Sequence, residues 1–291
     1  MKLKVAAIQT ETNGDKNQNI ERAVRQLEIA AREGVKLCCL HEYLTTEMPE
    51  RGKAQEDLLK IAEPIPGPII SLFSEKAKEL NMYLVAGSII EVDGGKLYNT
   101  SVLINSRGEV LGKYRKMHPE NVDVKHEIGC GITPGEGYPV FDTEIGKIGI
   151  MIDMDATVPV VSEILALQGA EIICWPLNWS VRVASSLRAF SLSNALVSKC
   201  HVICANRVGI RRKSPGGDMY YSGESRITDP EGNIIGSTSD FYEGAAIATI
   251  DIDYTRNYRT NVIKQEYPVR RRPETYHLIV DRETLRKAYN I

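Results

Sequence analysis

The sequence lacks the features that define several large classes of protein. Its 291 residues contain no apolar run long enough to span a bilayer. The N-terminus enters a strand-like segment, residues 2–10, without the pattern of a signal peptide. The net charge is −2 and both signs are interspersed, so no strongly basic surface is expected. We therefore expect a cytoplasmic protein that binds neither a membrane nor nucleic acid.

Cysteine and histidine are present without the spacings that bind metals or form disulfide frameworks. The six cysteines form no C-x-x-C pair, and most of them lie within apolar, strand-like runs. This placement predicts reduced thiols in the core. The five histidines show no H-x-H or H-x-x-x-H spacing, which argues against a zinc site. No metal and no cofactor are expected.

The central part of the sequence predicts a strand, a helix and a second strand. Residues 148–152 form an apolar run of strand length, residues 160–167 have helical character, and residues 171–175 form another apolar run. Asp153 and Asp155 follow the first of these strands. Open α/β sheets place their chemistry at the carboxyl ends of the strands. This stretch is therefore the predicted centre of the site.

Elsewhere, strands alternate with helices and with hairpins. Residues 3–8 predict a strand, residues 18–34 an amphipathic helix and residues 35–40 a second strand. The alternation favours an α/β fold, and the interleaved hairpins favour a pair of mixed sheets. We predict a single domain over residues 1–291, with an extended tail from about residue 254.

Three charged residues follow apolar strands: Glu42 after VKLCCLH, Lys116 after VLGKYR and Asp153 after IGIMI. A charge next to a buried strand is costly unless it is paired, hydrogen-bonded or hydrated. Each residue by itself could be the solvated start of a loop. Three of them, each at a position where α/β folds build sites, favour a shared site.

These segments resemble those of the nitrilase (carbon–nitrogen hydrolase) superfamily, in particular its amidase and carbamoyl-amide hydrolase branches. The motifs LHEYLTTE and YRKMHP match the family's glutamate and lysine motifs, and GESRITDPEGNIIG follows in the family's order. The resemblance implies a four-layer α-β-β-α sandwich and a homodimer or larger homo-oligomer. It also implies a general-base glutamate at Glu42 and a catalytic lysine at Lys116.

The chain departs from the family at the nucleophile. Where members read approximately I-C-Y-D-x-R-F-P-E, this chain has Asp153 in place of the cysteine and Thr157 in place of the arginine. A carboxylate is a weaker nucleophile than a thiolate, and its attack on an amide would form an anhydride by expelling a poor leaving group. Two carboxylates that flank a lysine can instead activate a water molecule or move a proton.

The resemblance also assigns residues around the substrate. Glu127 is the best match to the family's second glutamate, and Glu120 is the alternative. Trp175, Asn178 and Trp179 fall in a segment that lines the family's pocket, although the tryptophans, Trp175 more than Trp179, could instead be part of the aromatic core. We therefore predict that Glu127, Trp175, Asn178 and Trp179 bind the substrate.

Two classes of function remain open. The first is an enzyme that acts on a small amide, carbamoyl or nitrile-related substrate through Glu42, Lys116 and Asp153, without a cysteine. The second is a non-catalytic pseudoenzyme that binds a small ligand or a partner protein.

Cys130, which we expect to be exposed near the site, is the alternative thiol. Arg207 and Arg182 are candidates for binding a substrate anion.

Overall fold

Two mixed β-sheets form the centre of the fold. We describe residues 1–47, 55–120, 127–212, 217–262 and 271–289 of a computed structural model. The first sheet has seven strands in the order β15-β1-β2-β3-β5-β4, with β6 paired to β5. Its strands are β1 (Lys2–Gln9), β2 (Leu37–Cys39), β3 (Tyr83–Val85), β4 (Ile89–Asp93), β5 (Lys96–Ile104), β6 (Val110–Arg115) and β15 (Gly244–Asp251).

The second sheet has six strands in the order β14-β13-β10-β9-β8-β7, and a two-stranded hairpin, β11-β12, lies outside both sheets. Strands β8, β9 and β10 run parallel, as do β1, β2 and β3 in the first sheet. The ranges are β7 (Val140–Thr143), β8 (Gly146–Ile150), β9 (Ile172–Pro176), β10 (His201–Ala205), β11 (Val208–Arg211), β12 (Met219–Ser222), β13 (Arg226–Thr228) and β14 (Ile234–Ser237).

Helices cover the outer faces of both sheets. They are α1 (Lys16–Arg32) and α3 (Pro68–Glu79) on the first sheet, and α4 (Val160–Leu167) and α5 (Ala184–Ser198) on the second; the short helix α2 (Gln55–Leu59) packs through Leu58 against Ile90 and Leu97. Helix α1 begins after Asp15, whose carboxylate accepts hydrogen bonds from two backbone N–H groups of the first turn. The predicted helix over residues 160–167 is confirmed, and the helix predicted over 18–34 lies within two residues of α1.

The alternation of side chains along the strands builds three apolar layers. Val5 and Ala7 of β1 pack between the sheets, against residues such as Ile148 of the second sheet. Ala6 and Ile8, which point the other way, pack under α1 and α3. A third cluster joins the second sheet to α4 and α5. The predicted α-β-β-α sandwich is therefore confirmed over this part of the chain.

The contacts within the chain define two compact units, Met1–Ile252 and Asp253–Ile291. The second unit contains most of α6 (Ile252–Asn257), then the helical turn Tyr258–Val262, α7 (His277–Val280) and α8 (Arg282–Tyr289).

The start of this second unit is helical where the sequence analysis predicts an extended tail. Asp253 in the first turn of α6 lies 3.6 Å from Arg256 in the last, an ion pair that suits the helix dipole. The prolines of this part of the chain, which favour extended backbone, lie farther along, at positions 268 and 273. A single domain over the whole length stays a prediction. In the described residues, no helix is both long and apolar enough to cross a membrane.

Candidate active site

The two sheets bring the predicted charged residues to one place. Glu42 lies three residues after β2, Lys116 follows β6 directly, and Asp153 lies three residues after β8. Glu127 comes from the segment after Lys116, where it precedes a single 3-10 turn. All four side chains are buried, and Asp153 is the most accessible of them at 3% exposure.

The ammonium of Lys116 lies at the centre of this cluster. Its Nζ donates to Oε1 of Glu42 at 2.9 Å, to Oε2 of Glu127 at 2.7 Å and to Oδ2 of Asp153 at 2.9 Å. An ammonium has three N–H donors. Each of them therefore has a carboxylate acceptor, and the group contains three acids for one base.

Two of the acids, Glu42 and Glu127, also accept hydrogen bonds from polar side chains other than Lys116. Asn99, on β5, donates from Nδ2 to Oε1 of Glu42 and to Oε1 of Glu127, both at 2.7 Å. Glu127 also accepts from the hydroxyl of Tyr43 and, at 2.6 Å, from the backbone N–H of Glu120. Oε2 of Glu42 has no hydrogen-bond partner in the described part of the chain. Both oxygens of Glu127 thus accept hydrogen bonds, whereas Oε2 of Glu42 is buried and can still accept or donate one.

The excess of acids changes the protonation of the cluster. Burial, followed by the nearby Asp153 carboxylate, raises the pKa of Glu42 well above its usual value. Burial would lower the pKa of Lys116, but the three carboxylates, Asp153 foremost, hold it above its usual value. Burial acts to raise the pKa of Glu127, but the charge and hydrogen bond of Lys116, together with the hydrogen bonds from Tyr43 and the Glu120 N–H, lower it. The ammonium therefore stays charged, and Glu42 is an acid that can retain a proton.

The backbone presents Asp153 on a tight turn. Its φ is +49°, in the left-handed region that residues other than glycine rarely occupy, and it opens the 3-10 turn Asp153–Thr157. The indole Nε1 of Trp175 donates to the backbone carbonyl of Asp153 at 3.0 Å. Trp175 is fully buried. It therefore supports the turn, whereas we predicted that it binds substrate.

The second aspartate of the turn serves as a tether. One oxygen of Asp155 accepts from the Tyr114 hydroxyl at 2.6 Å and from the Ile152 N–H at 2.8 Å. The other accepts from the backbone N–H of His118 at 2.9 Å and lies 2.8 Å from Nδ1 of the same residue. Asp155 thus joins the turn to the segment that carries Lys116, and fixes the distance between Lys116 and Asp153.

A cavity of about 290 Å³ opens beside the cluster. Asp153 lines it, whereas the fully buried Glu42, Lys116 and Glu127 lie behind the wall. The other lining residues are Glu120, Met154, Thr157, Asn178, Trp179, Ser180, Val183, Ser186, Phe190, Arg211, Met219 and Tyr221. This volume is at the lower end of the range for ligand pockets, about 300–1,000 Å³, and suits a small ligand.

The predicted pocket residues divide between the wall and the interior. Asn178 and Trp179 line the cavity, and Trp179 packs edge-on against Trp175, with 5.5 Å between the ring centroids. Trp175 and Glu127 do not line it. The alternative acid, Glu120, does so, while its backbone supports Glu127. The sequence analysis missed Asn99 and Arg211, neither of which belongs to a motif that signals a site.

The cysteines lie away from the cavity. All six are buried, as predicted for core thiols. The expectation that Cys130 is exposed is wrong, because it is 2% exposed and packs with Tyr43 and Leu58 in an apolar cluster. Burial raises the pKa of Cys204 to about 12, which disfavours a thiolate. No cysteine in the described residues lines the cavity.

Comparison with known proteins identifies the family. The model of the carbon-nitrogen hydrolase family matches residues 4–260, so the chain belongs to that family. It is 31% identical to a nitrilase of Pyrococcus abyssi (strain GE5 / Orsay), over 88% of this chain and 92% of that protein. It is 30% identical to the omega-amidase NIT2 of Homo sapiens, over 92% of this chain and 93% of that protein.

A solved structure supports the same fold. The carbon-nitrogen hydrolase from Helicobacter pylori G27 superimposes with a TM-score of 0.87 at 23% identity. The match covers 97% of this chain and 99% of that one.

Proposed function

We propose that this protein hydrolyses a small amide, carbamoyl or nitrile-related substrate without a cysteine nucleophile, with Asp153 at the position of the family's thiol. One observation carries the proposal. Among the charged residues bound to Lys116, Asp153 is the one whose side chain reaches the cavity. A substrate in the cavity would therefore meet a carboxylate that is connected to two further acids through one ammonium.

The first step that we propose is an exchange of partners at Lys116. Its three N–H donors all have carboxylate acceptors. A substrate carbonyl can therefore accept a hydrogen bond from Lys116 only if one carboxylate side chain moves away from it. The Asp153 side chain is the one that can move away, because it adjoins the cavity. The carbonyl oxygen would then accept from Lys116, which stabilises the negative charge that develops on it.

The displaced carboxylate of Asp153 would then act on water. It takes a proton from a water molecule while the water oxygen forms a bond to the carbonyl carbon. Collapse of the tetrahedral intermediate breaks the carbon–nitrogen bond, and the leaving nitrogen takes up the proton that Asp153 removed from the water molecule, either directly or by exchange with Glu42 within the cluster. Glu42 suits this exchange, since its pKa is raised by burial and by Asp153. An amide and water thus give a carboxylic acid and ammonia.

The same geometry supports a second candidate, a binding protein without catalytic activity. The three hydrogen bonds of Lys116 are 2.7–2.9 Å long, so its ammonium is well satisfied where it lies. If Asp153 does not leave, no N–H is available to an oxyanion. The cavity would then bind a small ligand without hydrolysing it.

Ammonia release distinguishes the two candidates. The purified protein is incubated with primary amides, N-carbamoyl amino acids and nitriles, and the same panel is given to Glu42→Gln, Lys116→Ala and Asp153→Cys. We expect release from the wild type that Glu42→Gln and Lys116→Ala abolish. If the wild type releases no ammonia and Asp153→Cys does, the pocket has instead lost only its nucleophile.

An isotope experiment separates the two roles that Asp153 could have. Hydrolysis under single-turnover conditions in H₂¹⁸O is followed by mass spectrometry of the product and of the peptide that contains Asp153. If Asp153 activates water, the label enters the product acid directly. Label in the Asp153 carboxylate would show that this side chain attacked the substrate itself.

We also propose that the chain forms a homodimer or a larger homo-oligomer. In support, Leu167 at the end of α4 and Leu196 on α5 are 67% and 42% exposed, so both helices present apolar side chains to solvent. Light scattering coupled to size-exclusion chromatography tests this. We expect at least twice the chain mass of 32.4 kDa, and the mass of one chain would contradict the proposal.

A further inference from the structure

The two carboxylate oxygens of Asp153 have different surroundings. Oδ2 accepts a hydrogen bond from Nζ of Lys116 at 2.9 Å, whereas nothing in the described residues donates to Oδ1. The residue is 3% exposed, and its side chain lines the cavity. One oxygen is therefore bound to an ammonium, and the other is a poorly hydrated anionic oxygen next to the space that a ligand would occupy.

The cavity beside this oxygen suits an alkyl chain with a leaving group. Met154, Val183 and Phe190 are among the residues that line it. An alkyl chain gains free energy when it moves from water to such apolar side chains. Asn178 also lines the cavity, and Nδ2 of this 6% exposed residue has no hydrogen-bond partner in the described ranges. This amide can donate to a leaving group as negative charge develops on it.

The chemistry that suits a carboxylate nucleophile differs from amide hydrolysis. Attack on an amide carbon would form an anhydride and expel a poor leaving group. At a saturated carbon that carries a halogen, the same attack forms an ordinary ester and expels a stable anion. The objection to Asp153 as a nucleophile therefore applies to amides and does not apply to alkyl halides.

We propose that Asp153 is a nucleophile toward primary alkyl halides, and that the protein hydrolyses them to alcohols through an alkyl ester at Asp153. In the first step an electron pair of Oδ1 forms a bond to the terminal carbon, while the carbon–halogen bond breaks and halide departs. Oδ2 stays bound to Lys116, so this step needs no exchange of partners in the cluster. The activity is separate from the proposed amide hydrolysis and does not depend on it.

Lys116 and Glu42 are placed to hydrolyse the ester. Oδ2 of Asp153 becomes the ester carbonyl oxygen, and the Lys116 ammonium, 2.9 Å away, stabilises negative charge on it. Oε1 of Glu42 lies 2.9 Å from the same Nζ, and Oε2 of Glu42 has no partner in the described part of the chain. Glu42 can therefore take a proton from a water molecule while the water oxygen bonds to Cγ of Asp153.

The ester itself prepares Glu42 for this role. Burial and then the Asp153 carboxylate raise the pKa of Glu42, and esterification removes the second of these causes. The pKa of Glu42 then falls, and Glu42 releases its proton to solvent.

The remaining steps restore the cluster. The tetrahedral intermediate at Cγ expels the alkoxide, which takes from Glu42 the proton that came from water and departs as the alcohol. Asp153 is left as a carboxylic acid and passes its proton to Glu42. An alkyl halide and water thus give an alcohol, a halide ion and a proton.

Bromide release from 1-bromobutane tests the proposal, with the rate in buffer as the reference. We expect continuous release from the wild type. Glu42→Gln cannot accept the proton from water, so it should release one bromide per chain and then continue about 10²–10⁴-fold more slowly. Mass spectrometry of the peptide that contains Asp153 should show an added butyl group in this variant. Asp153→Asn should release bromide at the buffer rate.

Asp142→Asn is the matched control for Asp153→Asn. The Asp142 side chain is 79% exposed and does not line the cavity, so this variant should release bromide as the wild type does. The butyl group trapped in Glu42→Gln gives an answer even if Asp153→Asn does not fold.

A single turnover of the wild type in H₂¹⁸O follows the oxygen atoms. The alcohol oxygen comes from Oδ1 of Asp153, so the first butanol should be unlabelled and the label should appear in the Asp153 carboxylate. Labelled butanol in the first turnover would overturn the inference, because water would then have attacked the alkyl carbon directly. Bromide release at the buffer rate by the wild type would also overturn it, as would butyl groups on cysteines with Asp153 unmodified in Glu42→Gln.

The outcome is independent of ammonia release. A protein that releases ammonia from amides but no bromide from 1-bromobutane would support the proposed hydrolysis and contradict this inference. Bromide release through an ester at Asp153, without ammonia release from any amide, would do the opposite.

Discussion

Two buried charge clusters share β6 and the residue that follows it, yet they are built in opposite ways. In the first, the fully buried Glu91 accepts hydrogen bonds at both oxygens, from Lys113, Arg115 and Thr100. Two cations therefore surround one buried acid, and no oxygen of that acid lacks a partner. In the second, Lys116 faces three acids, and Oε2 of Glu42 has no partner among the described residues.

The protonation of the two clusters differs accordingly. Although burial acts to raise it, the pKa of Glu91 lies below its usual value because Arg115, Lys113 and Thr100 donate hydrogen bonds to it. The pKa of Glu42 lies above its usual value because of burial and the neighbouring Asp153. The second cluster adjoins the more enclosed cavity of about 290 Å³ through Asp153, whereas Lys113 and Arg115 of the first cluster line a more open depression. A balanced cluster supports the fold, whereas an unbalanced one can move a proton.

Removal of the central cation should give the largest effect. Lys116→Met leaves three buried carboxylates without their shared partner, so we expect a loss of about 3–5 kcal/mol of unfolding free energy at pH 7. Lys113→Met is the matched control, because Glu91 retains Arg115, and it should cost about 1 kcal/mol. Urea denaturation of both variants measures the difference. Equal losses of unfolding free energy in the two variants would show that both clusters stabilise the fold to the same extent.

Removal of one acid should separate activity from stability. Glu42→Gln should lower the rate of ammonia release by about 10²–10⁴-fold, the usual contribution of a general acid or base. It should cost little stability, since the amide oxygen of Gln can accept the hydrogen bond that Glu42 accepts from Lys116. Glu91→Gln should do the reverse, with normal kinetics and a loss of about 1.5–3 kcal/mol from its charged hydrogen bonds. A kinetic defect in Glu91→Gln would contradict the assignment of Glu91 to the fold.

The two acids should also make stability depend on pH with opposite signs. The pKa of Glu42 is raised above 4.5 on folding, so its stabilising contribution is complete below that pH and is lost as the pH rises through the raised value. The pKa of Glu91 is lowered, so its contribution is complete above pH 4.5 and is lost as the pH falls.

Unfolding free energies from pH 3 to pH 8 test these signs. The difference between wild type and Glu42→Gln should decrease as the pH rises, and the difference between wild type and Glu91→Gln should increase. Parallel curves for the two variants would contradict the contrast between the clusters.

Deletion of single hydroxyl donors should give the smallest effects. Tyr43→Phe removes one donor to Glu127, which retains Asn99 and Lys116, and Thr100→Val removes one donor to Glu91. Each should cost about 1 kcal/mol in urea denaturation. Only Tyr43→Phe should also alter the pH profile of ammonia release, because its partner bonds to Lys116. The same pH profile in both variants would count against the catalytic role of the Lys116 cluster.

The local sequence predicted the charged residues and the sheets that carry them. Glu42, Lys116 and Asp153 each follow an apolar strand, and the sandwich brings those strand ends together. Asn99 was not predictable in this way, because it lies within β5 and its two acceptors are 57 and 28 residues away in the chain. A polar residue inside a strand gives no local sign of such partners.

Two further misses also arise from long-range packing. Cys130 lies between two glycines, a composition typical of an exposed loop, but it packs with Tyr43 and Ile90 in the apolar cluster that also contains Leu58. Arg211 is placed in the cavity wall by a hairpin that pairs with neither main sheet. Neither result follows from the pattern of neighbouring residues. Both depend on where a short segment meets a distant part of the chain.

The most direct test of the central claim compares ammonia release by the wild type and by Asp153→Ala under identical conditions. The claim is that the Asp153 carboxylate drives hydrolysis from the cavity side of the Lys116 cluster. It predicts release from the wild type and a rate about 10²–10⁴-fold lower in Asp153→Ala, although that variant leaves an N–H of Lys116 available to the substrate. Equal rates in the two proteins, or no release from the wild type, would contradict it.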